Sequence, residues 1–121
     1  MQQFVYLFRL PRAKLTALTE AERTERTRNN RAWAQQLNAA GHRLSPHIMD
    51  IAGHWIGPNG VDRPDPAAGP DAEVTAAIVF LEARDFDQAV QLARTHPGLQ
   101  YGASVEVHPW APPGPLLPSG Q

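Results

Sequence analysis

The sequence predicts an α+β domain of the ferredoxin-like βαββαβ type, in which two helices cover one face of an antiparallel sheet. Three observations lead to this prediction. Predicted strands and helices follow the order β, α, β, β, α, β, the first and third strands are apolar on both faces, and 121 residues suit a single core. Residues 1–110 are assigned to this domain, and the Pro- and Gly-rich residues 111–121 to an irregular tail.

The first strand is predicted at residues 4–10, where aromatic and other β-favouring residues precede Pro11. Successive side chains of a strand point to opposite faces. Both faces of this strand are apolar, since one carries Phe4, Tyr6 and Phe8 and the other carries Val5 and Leu7. A strand of this kind needs cover on two sides.

The first helix is predicted to begin after Thr19, because Glu22 follows it at the spacing of a capping box, and to end before Gly41. Its second half carries an apolar stripe formed by Trp33, Leu37 and Ala40. Its first half is charged nearly all round. That half is interpreted as a solvated face, with a docking surface for a protein partner as the open alternative.

The middle of the chain is predicted to be extended over residues 44–56, with a tight turn at Asn59-Gly60. Residues 58–70 hold four prolines and two glycines, a density that indicates a surface loop. Residues 74–81 are apolar on both faces and are predicted to form a central strand.

The second helix is predicted to begin after Asp85, with Gln88 at the N3 position, and to be ended by His96-Pro97-Gly98. Its apolar stripe is formed by Phe86, Ala89, Val90 and Ala93. The last strand is predicted at residues 101–110, where apolar and polar residues alternate.

Composition excludes several classes of function. The 11 basic and 12 acidic residues leave a net charge of −1, so nucleic acid is not an expected partner. No cysteine is present, which excludes disulfides and thiolate chemistry. No apolar stretch is long enough to span a bilayer, and no signal peptide is recognisable, so a cytoplasmic protein without membrane association is expected. No histidine pair has metal-ligand spacing and no phosphate-binding glycine loop occurs, so neither a metal nor a cofactor is predicted.

The two strands that are apolar on both faces predict a homodimer. A ferredoxin-like sheet has helices on one face only, which leaves apolar side chains of the other face uncovered in a monomer. Two copies packed sheet to sheet about a two-fold axis would bury them, at about 25 cal/mol per Å² of apolar surface before the cost of association. The alternative is a monomer whose tail or loop covers that face.

The C-terminal part of the domain resembles the YCII-related proteins. The shared pattern is an acidic residue at the start of a D-x-D-x-A-x-x-x-A helix, a following proline, and a final G-x-x-E-V-x-P strand. The matching positions are Asp85, Asp87, Ala89, Ala93, Pro97, Gly102, Glu106, Val107 and Pro109, with one extra residue between the glycine and the glutamate. The resemblance extends over about residues 4–110.

This resemblance implies a dimeric α+β barrel with a pocket in each subunit between sheet and helices. Most members of the family have no assigned activity; one branch carries a D-G-P-F loop, and another uses a His and Asp pair. Here the loop reads Asp62-Arg63-Pro64-Asp65, and the first helix has Asn29, Asn30 and Arg31 where a histidine of the second branch would stand. The chain departs from both branches.

Three residues are the candidates for acid–base catalysis: His96, His47 and Asp50. His96 directly follows a helix, where a titrating imidazole is favoured, although it could simply cap that helix. His47 and Asp50 point to opposite faces of one strand, so each would need a partner from another strand, such as His96 or Glu106. The substrate pocket is predicted to include Tyr6, Phe8, Trp55 and Glu106.

The sequence thus predicts a YCII-related protein that binds or transforms a small aromatic or carboxylic molecule in a pocket between sheet and helices. The alternative is a non-catalytic dimeric module that regulates or assists a partner. Whether the protein is an enzyme stays open at this point.

Overall fold

The computed structural model describes residues 1–50, 53–63 and 72–110. In this part of the chain the strands are β1 (Gln2–Pro11), β2 (Ser45–Ile48), β3 (Trp55–Ile56), β4 (Asp62–Arg63), β5 (Glu73–Ala83) and β6 (Ser104–Pro109). The helices are α1 (Arg12–Thr16), α2 (Glu20–Ala39) and α3 (Phe86–Ala93), and short 3-10 turns occur at Pro58–Gly60 and Pro97–Tyr101. The predicted α+β class is confirmed. The predicted tail lies outside the described residues.

The main sheet has four antiparallel strands in the order β2-β5-β1-β6. Strands β1 and β5 are the longest and occupy its centre, as their continuous apolar sequences require. Strands β3 and β4 form a separate two-stranded ribbon. The predicted turn of this ribbon is confirmed, because Asn59 and Gly60 both adopt positive φ, at 64° and 75°.

The two faces of the sheet differ in what covers them. Phe4, Tyr6, Phe8 and Leu10 of β1 are buried, and Phe4 and Tyr6 pack against residues of α2 and α3 on what we call the helix face. The opposite side, called the open face, carries Val5, Leu7, Ile78 and Phe80, which are half-buried. Among the described residues, no helix lies on the open face. The two-sided apolar character predicted for β1 is therefore confirmed.

Helix α2 begins as predicted. The Thr19 hydroxyl accepts from the Glu22 amide at 3.1 Å, and the Glu22 carboxylate accepts from the Thr19 amide at 2.9 Å. Of the predicted stripe, Trp33 and Leu37 are buried, whereas Ala40 is exposed. Gly41 follows with φ at 97°, the left-handed conformation that ends a helix.

The structure corrects the sequence analysis at three places. The described part of the chain has three helices instead of the two predicted, because α1 turns the chain directly after Pro11. The last strand begins at Ser104 and not at residue 101, since residues 97–101 form a 3-10 turn that Gly102 ends with φ at 96°. Phe86 of the α3 stripe is 46% exposed, although its ring centroid lies 6.0 Å from that of Phe4.

None of the helices in the described ranges 1–50, 53–63 and 72–110 combines the length and apolar character needed to cross a membrane.

Candidate functional site

A cavity of about 730 Å³ lies between the helix face of the sheet and helices α1 and α2. Small-molecule sites typically enclose roughly 300–1,000 Å³, so this volume suits a compact organic ligand. Much of its wall is apolar, with side chains from the strands, from the helices, from the connection between α1 and α2 and from the residue after β2: Phe8, Leu10, Leu15, Leu18, Trp33, Ala34, Ile48, Met49, Ala77 and Val79.

His96 contributes a polar group to the wall of this cavity. It precedes the 3-10 turn, and its Nδ1 accepts from the Gly98 amide at 2.9 Å. Its ring packs against the rings of Phe8 at 4.2 Å and Trp33 at 4.7 Å between centroids. Burial against these rings lowers the pKa of His96 to about 4, so the imidazole is neutral at pH 7.

The neutral form of His96 has one available tautomer. Because Nδ1 acts as an acceptor, the ring proton sits on Nε2. The described residues provide no hydrogen-bond partner for Nε2, and no carboxylate lies within hydrogen-bond distance of the ring. His96 therefore presents a neutral N–H donor in a cavity wall that is otherwise mostly apolar.

Tyr101 links the same turn to helix α2. The Arg26 guanidinium stacks over the Tyr101 ring at 4.3 Å, and the Asn29 amide donates to the Tyr101 hydroxyl at 3.1 Å. Stacking uses the face of the guanidinium and leaves its N–H groups available in the plane. Arg26 is thus held in position at the cavity wall. No described ion pair within 4.0 Å involves it, although the Glu22 carboxylate, one turn earlier on α2, interacts with it electrostatically.

The rim of the cavity is cationic. Arg23 and Arg31 of α2 also line it and are exposed, whereas Arg26 is half-buried. The described lining residues include no aspartate or glutamate. An apolar wall with arginines and no carboxylate favours an anionic ligand with an apolar body.

Two of the predicted site residues line this cavity, His96 and Phe8. Tyr6 does not: it is completely buried between the sheet and α3, and its hydroxyl donates to the Ala89 carbonyl at 2.5 Å. Burial raises the pKa of Tyr6 above its ordinary value. Its observed role is in the core.

His47 and Glu106 lie on the open face, on the other side of the sheet from the cavity. His47 is exposed, with Nε2 at 3.2 Å from the Ser45 hydroxyl and its ring 5.8 Å from that of Phe80. Glu106 forms an ion pair with Arg9 and a hydrogen bond with the His108 ring at 2.8 Å, and these contacts lower the pKa of its carboxyl. The sheet therefore separates both residues from His96.

Asp50 and Trp55 lie beyond β2. Asp50 is exposed and follows Met49, which lines the cavity, but it is not a lining residue itself. Trp55 is 47% exposed in the ribbon and also stands outside the lining. The structure does not bring Asp50, His47 and His96 together as one catalytic group.

Three polar residues that were not predicted from the sequence line the cavity: Arg26, Asn30 and Tyr101. A signal was present, because Arg26 and Asn30 precede Trp33 by seven and three residues and so continue the buried stripe of α2 toward its N-terminus. Because both residues are polar, a search for an apolar stripe does not include them. The stacking of Arg26 on Tyr101 had no signal in the sequence spacing.

No group of three or more histidine, aspartate or glutamate side chains that could hold a metal is found among the residues the structure describes. The donors that line the cavity are guanidinium, imidazole, hydroxyl and amide groups. These groups suit an organic anion.

Comparison with known proteins gives the family. No curated protein matches the chain. The family model of the YCII-related domain matches residues 6–111, a range that holds the second part of β1, all of α2, β5, α3 and β6, and the whole cavity lining. The resemblance found in the C-terminal pattern thus extends over nearly all of the described fold, and the chain belongs to the YCII-related family.

Proposed function

We propose that this YCII-related protein binds a small aromatic or other apolar carboxylate in the cavity between the sheet and α2. The observation that carries the proposal is the combination of a 730 Å³ apolar cavity with three arginines and no acidic residue in its described lining. Burial of the ligand body supplies affinity, and the arginines compensate for the lost hydration of the carboxylate.

Binding is favoured here over acid–base catalysis. A histidine base is normally oriented by a second polar group, often a carboxylate, that accepts its other ring proton. In His96 the Nδ1 atom is instead an acceptor for the Gly98 amide, and no described carboxylate contacts the ring. His96 is suited to donate a hydrogen bond from Nε2.

Occupation of the cavity is tested by filling it. Ala34 lines the cavity on α2 and is half-buried, while Ala32 is exposed on the same helix. Benzoate and phenylacetate are titrated by calorimetry into the wild type and into the Ala34→Phe and Ala32→Phe variants. We expect binding to the wild type and to Ala32→Phe, and loss of at least about 10-fold in affinity for Ala34→Phe.

Equal affinity of the two variants would place the ligand elsewhere and refute the proposal. Benzamide serves as the neutral control ligand, because it has the shape of benzoate without the charge. We expect benzamide to bind at least about 10-fold more weakly than benzoate, because the neutral amide cannot form an ion pair with the arginine side chains. Benzamide binding as tightly as benzoate would contradict the role given to the cationic rim.

We also propose that the domain is ferredoxin-like and forms a homodimer through the open face, as in a dimeric α+β barrel. What supports this is the half-buried apolar centre of that face, Val5, Leu7, Ile78 and Phe80, with the Trp110 ring 5.1 Å from that of Phe80. Two copies packed about a two-fold axis would cover this surface. The same interface would serve the alternative function of a non-catalytic dimeric module.

The dimer is tested with Leu7→Lys, which places a charge at the centre of the open face. Gln35→Lys is the control, because Gln35 is exposed on α2. Light scattering at micromolar concentration is expected to give a dimer for the wild type and for Gln35→Lys, and a folded monomer for Leu7→Lys. A monomeric wild type would refute the dimer and leave the ligand proposal standing.

A further inference from the structure

We infer that the cavity selects a ligand with two polar ends, an anionic group bound by Arg26 and a neutral hydrogen-bond acceptor bound by the Nε2–H of His96. This inference rests on the proposed function and specifies it. The ligand class is an aromatic or alicyclic carboxylate that bears a carbonyl or ether oxygen away from the carboxylate.

His96 is a directed donor because its ring cannot easily turn. Nδ1 is held by the Gly98 amide, and the rings of Phe8 and Trp33 pack against the imidazole. A Cβ atom at position 98 would stand 2.9 Å from Nδ1, so the close approach of the ring to this amide depends on glycine. The remaining polar atom is Nε2, and its proton is available to the cavity.

A neutral acceptor suits this end of the cavity better than a carboxylate does. Burial keeps the imidazole neutral, and aromatic rings present a partly negative face to their surroundings. A carboxylate here would lose its hydration without gaining a cation. A carbonyl or ether oxygen loses less hydration and needs only the one hydrogen bond that Nε2–H offers.

Arg26 is the arginine best prepared to bind the anionic group. It is half-buried and stacked on Tyr101, whose hydroxyl is in turn held by Asn29, whereas Arg23 and Arg31 are exposed. Ordering a free arginine side chain costs conformational entropy, and that cost is smaller for one already fixed by a ring.

The two polar ends are coupled through one structural element. His96 precedes the 3-10 turn Pro97–Tyr101 and Tyr101 ends it, so one turn carries both the His96 donor and the ring on which Arg26 is stacked. Five residues of a 3-10 helix rise about 10 Å at ~2.0 Å per residue. Along the backbone this turn is about as long as a substituted benzene with polar groups at opposite ends, which is the ligand size that we propose.

The test compares ligands that add one polar group at a time. Benzoate carries the anion alone, and 4-acetylbenzoate, 3-acetylbenzoate and 4-acetylphenylacetate add a ketone at different positions. Affinities are measured by calorimetry for the wild type, Arg26→Gln, His96→Asn and Arg28→Gln. His96→Asn keeps a side-chain acceptor for the Gly98 amide and removes the Nε2 donor, because the amide N–H groups of the shorter side chain end about one bond short of the Nε2 position. Arg28 is on α2 but outside the lining of this cavity, so its variant is the matched control.

We expect at least one ketone acid to bind the wild type about 5-fold more tightly than benzoate does, and His96→Asn to abolish that gain. Arg26→Gln is expected to lower the affinity for benzoate by about 10-fold, with Arg28→Gln unchanged. Nitrogen-15 NMR of wild-type His96 should show an unprotonated Nδ1 and a protonated Nε2. The Nε2 signal should shift with the preferred ketone acid and stay in place with benzoate.

Three results would overturn the inference. They are equal affinities for benzoate and all ketone acids, a gain that survives His96→Asn, and a wild-type spectrum with the proton on Nδ1. In each of these, binding of benzoate would leave the proposed function intact. If no carboxylate binds the wild type, both fail together.

Discussion

Replacing Tyr6 by Phe removes one buried hydroxyl from the centre of the domain. Tyr6 is completely buried, and its hydroxyl donates to the Ala89 carbonyl at 2.5 Å across the interface between β1 and α3. That carbonyl keeps its helical partner, the amide of Ala93, so it is not left without a hydrogen bond. The expected loss in the free energy of unfolding is therefore that of one neutral hydrogen bond, about 1 kcal/mol at pH 8.

At alkaline pH the effect of Tyr6→Phe on the free energy of unfolding should change from destabilising to stabilising. Burial raises the pKa of Tyr6 in the folded protein, while in the unfolded chain it titrates near 10. Above pH 10 the unfolded state releases this proton and the folded state keeps it, so the wild type loses stability as pH rises. At pH 11 the loss is about 1.4 kcal/mol, which exceeds the value of the hydrogen bond. Tyr6→Phe escapes this loss.

Urea unfolding followed by circular dichroism measures both effects. Wild type and Tyr6→Phe are compared at one fixed protein concentration, since a dimer gains stability with concentration. The difference should be about 1 kcal/mol at pH 8, vanish between about pH 10 and pH 11 and reverse by about 0.4 kcal/mol at pH 11, with unchanged dependence on urea. Tyr101→Phe is the control at pH 8, where a change below about 0.5 kcal/mol is expected because this tyrosine is only partly buried.

Two observations would refute this reasoning. If Tyr6→Phe were as stable as the wild type at pH 8, the hydroxyl would contribute nothing to the core. If the difference stayed constant up to pH 11, the folded and unfolded states would ionise Tyr6 alike.

Two further substitutions test the site and the first long helix. Because the pKa of His96 is about 4 when folded and near 6.5 when unfolded, the wild type should lose roughly 3 kcal/mol relative to His96→Asn as pH falls from 6.5 to 4. Urea unfolding at several pH values measures this, and parallel pH profiles would contradict it. Thr19→Ala should lower the free energy of unfolding by about 1 kcal/mol, because it removes the capping box of α2. Thr24→Ala, on the exposed face of α2, is the control and should lower it less. Equal shifts of the thermal unfolding midpoint for the two variants would contradict the stabilising role of the cap.

Local features of the chain were predictable because their causes are local. The caps at Thr19 and Asp85, the end of α2 at Gly41 and the turn at Asn59-Gly60 each depend on residues a few positions apart. The alternation of apolar side chains also gave the two faces of β1. Helix α1 was missed because a charged segment of five residues has no periodicity to detect.

The candidate site depended on contacts between distant residues. His47 and His96 are both histidines beside apolar segments, and only the register of β2 on β5 puts one on the open face and leaves the other beside the cavity. Asn29 and Tyr101 are 72 residues apart. Residue spacing does not predict such pairs, because they form only when the helix packs on the sheet.

The sequence by itself determined the α+β class, the apolar nature of both faces of β1 and the YCII-related pattern, since periodicity and residue type act within each element. The tertiary structure alone decided which polar groups meet the cavity. Packing of α2 on the sheet carried Arg26 over Tyr101, and burial beside Phe8 and Trp33 made His96 a neutral donor. Charge, tautomer and distance are properties of that packed arrangement, because each depends on neighbours that the chain brings together only on folding.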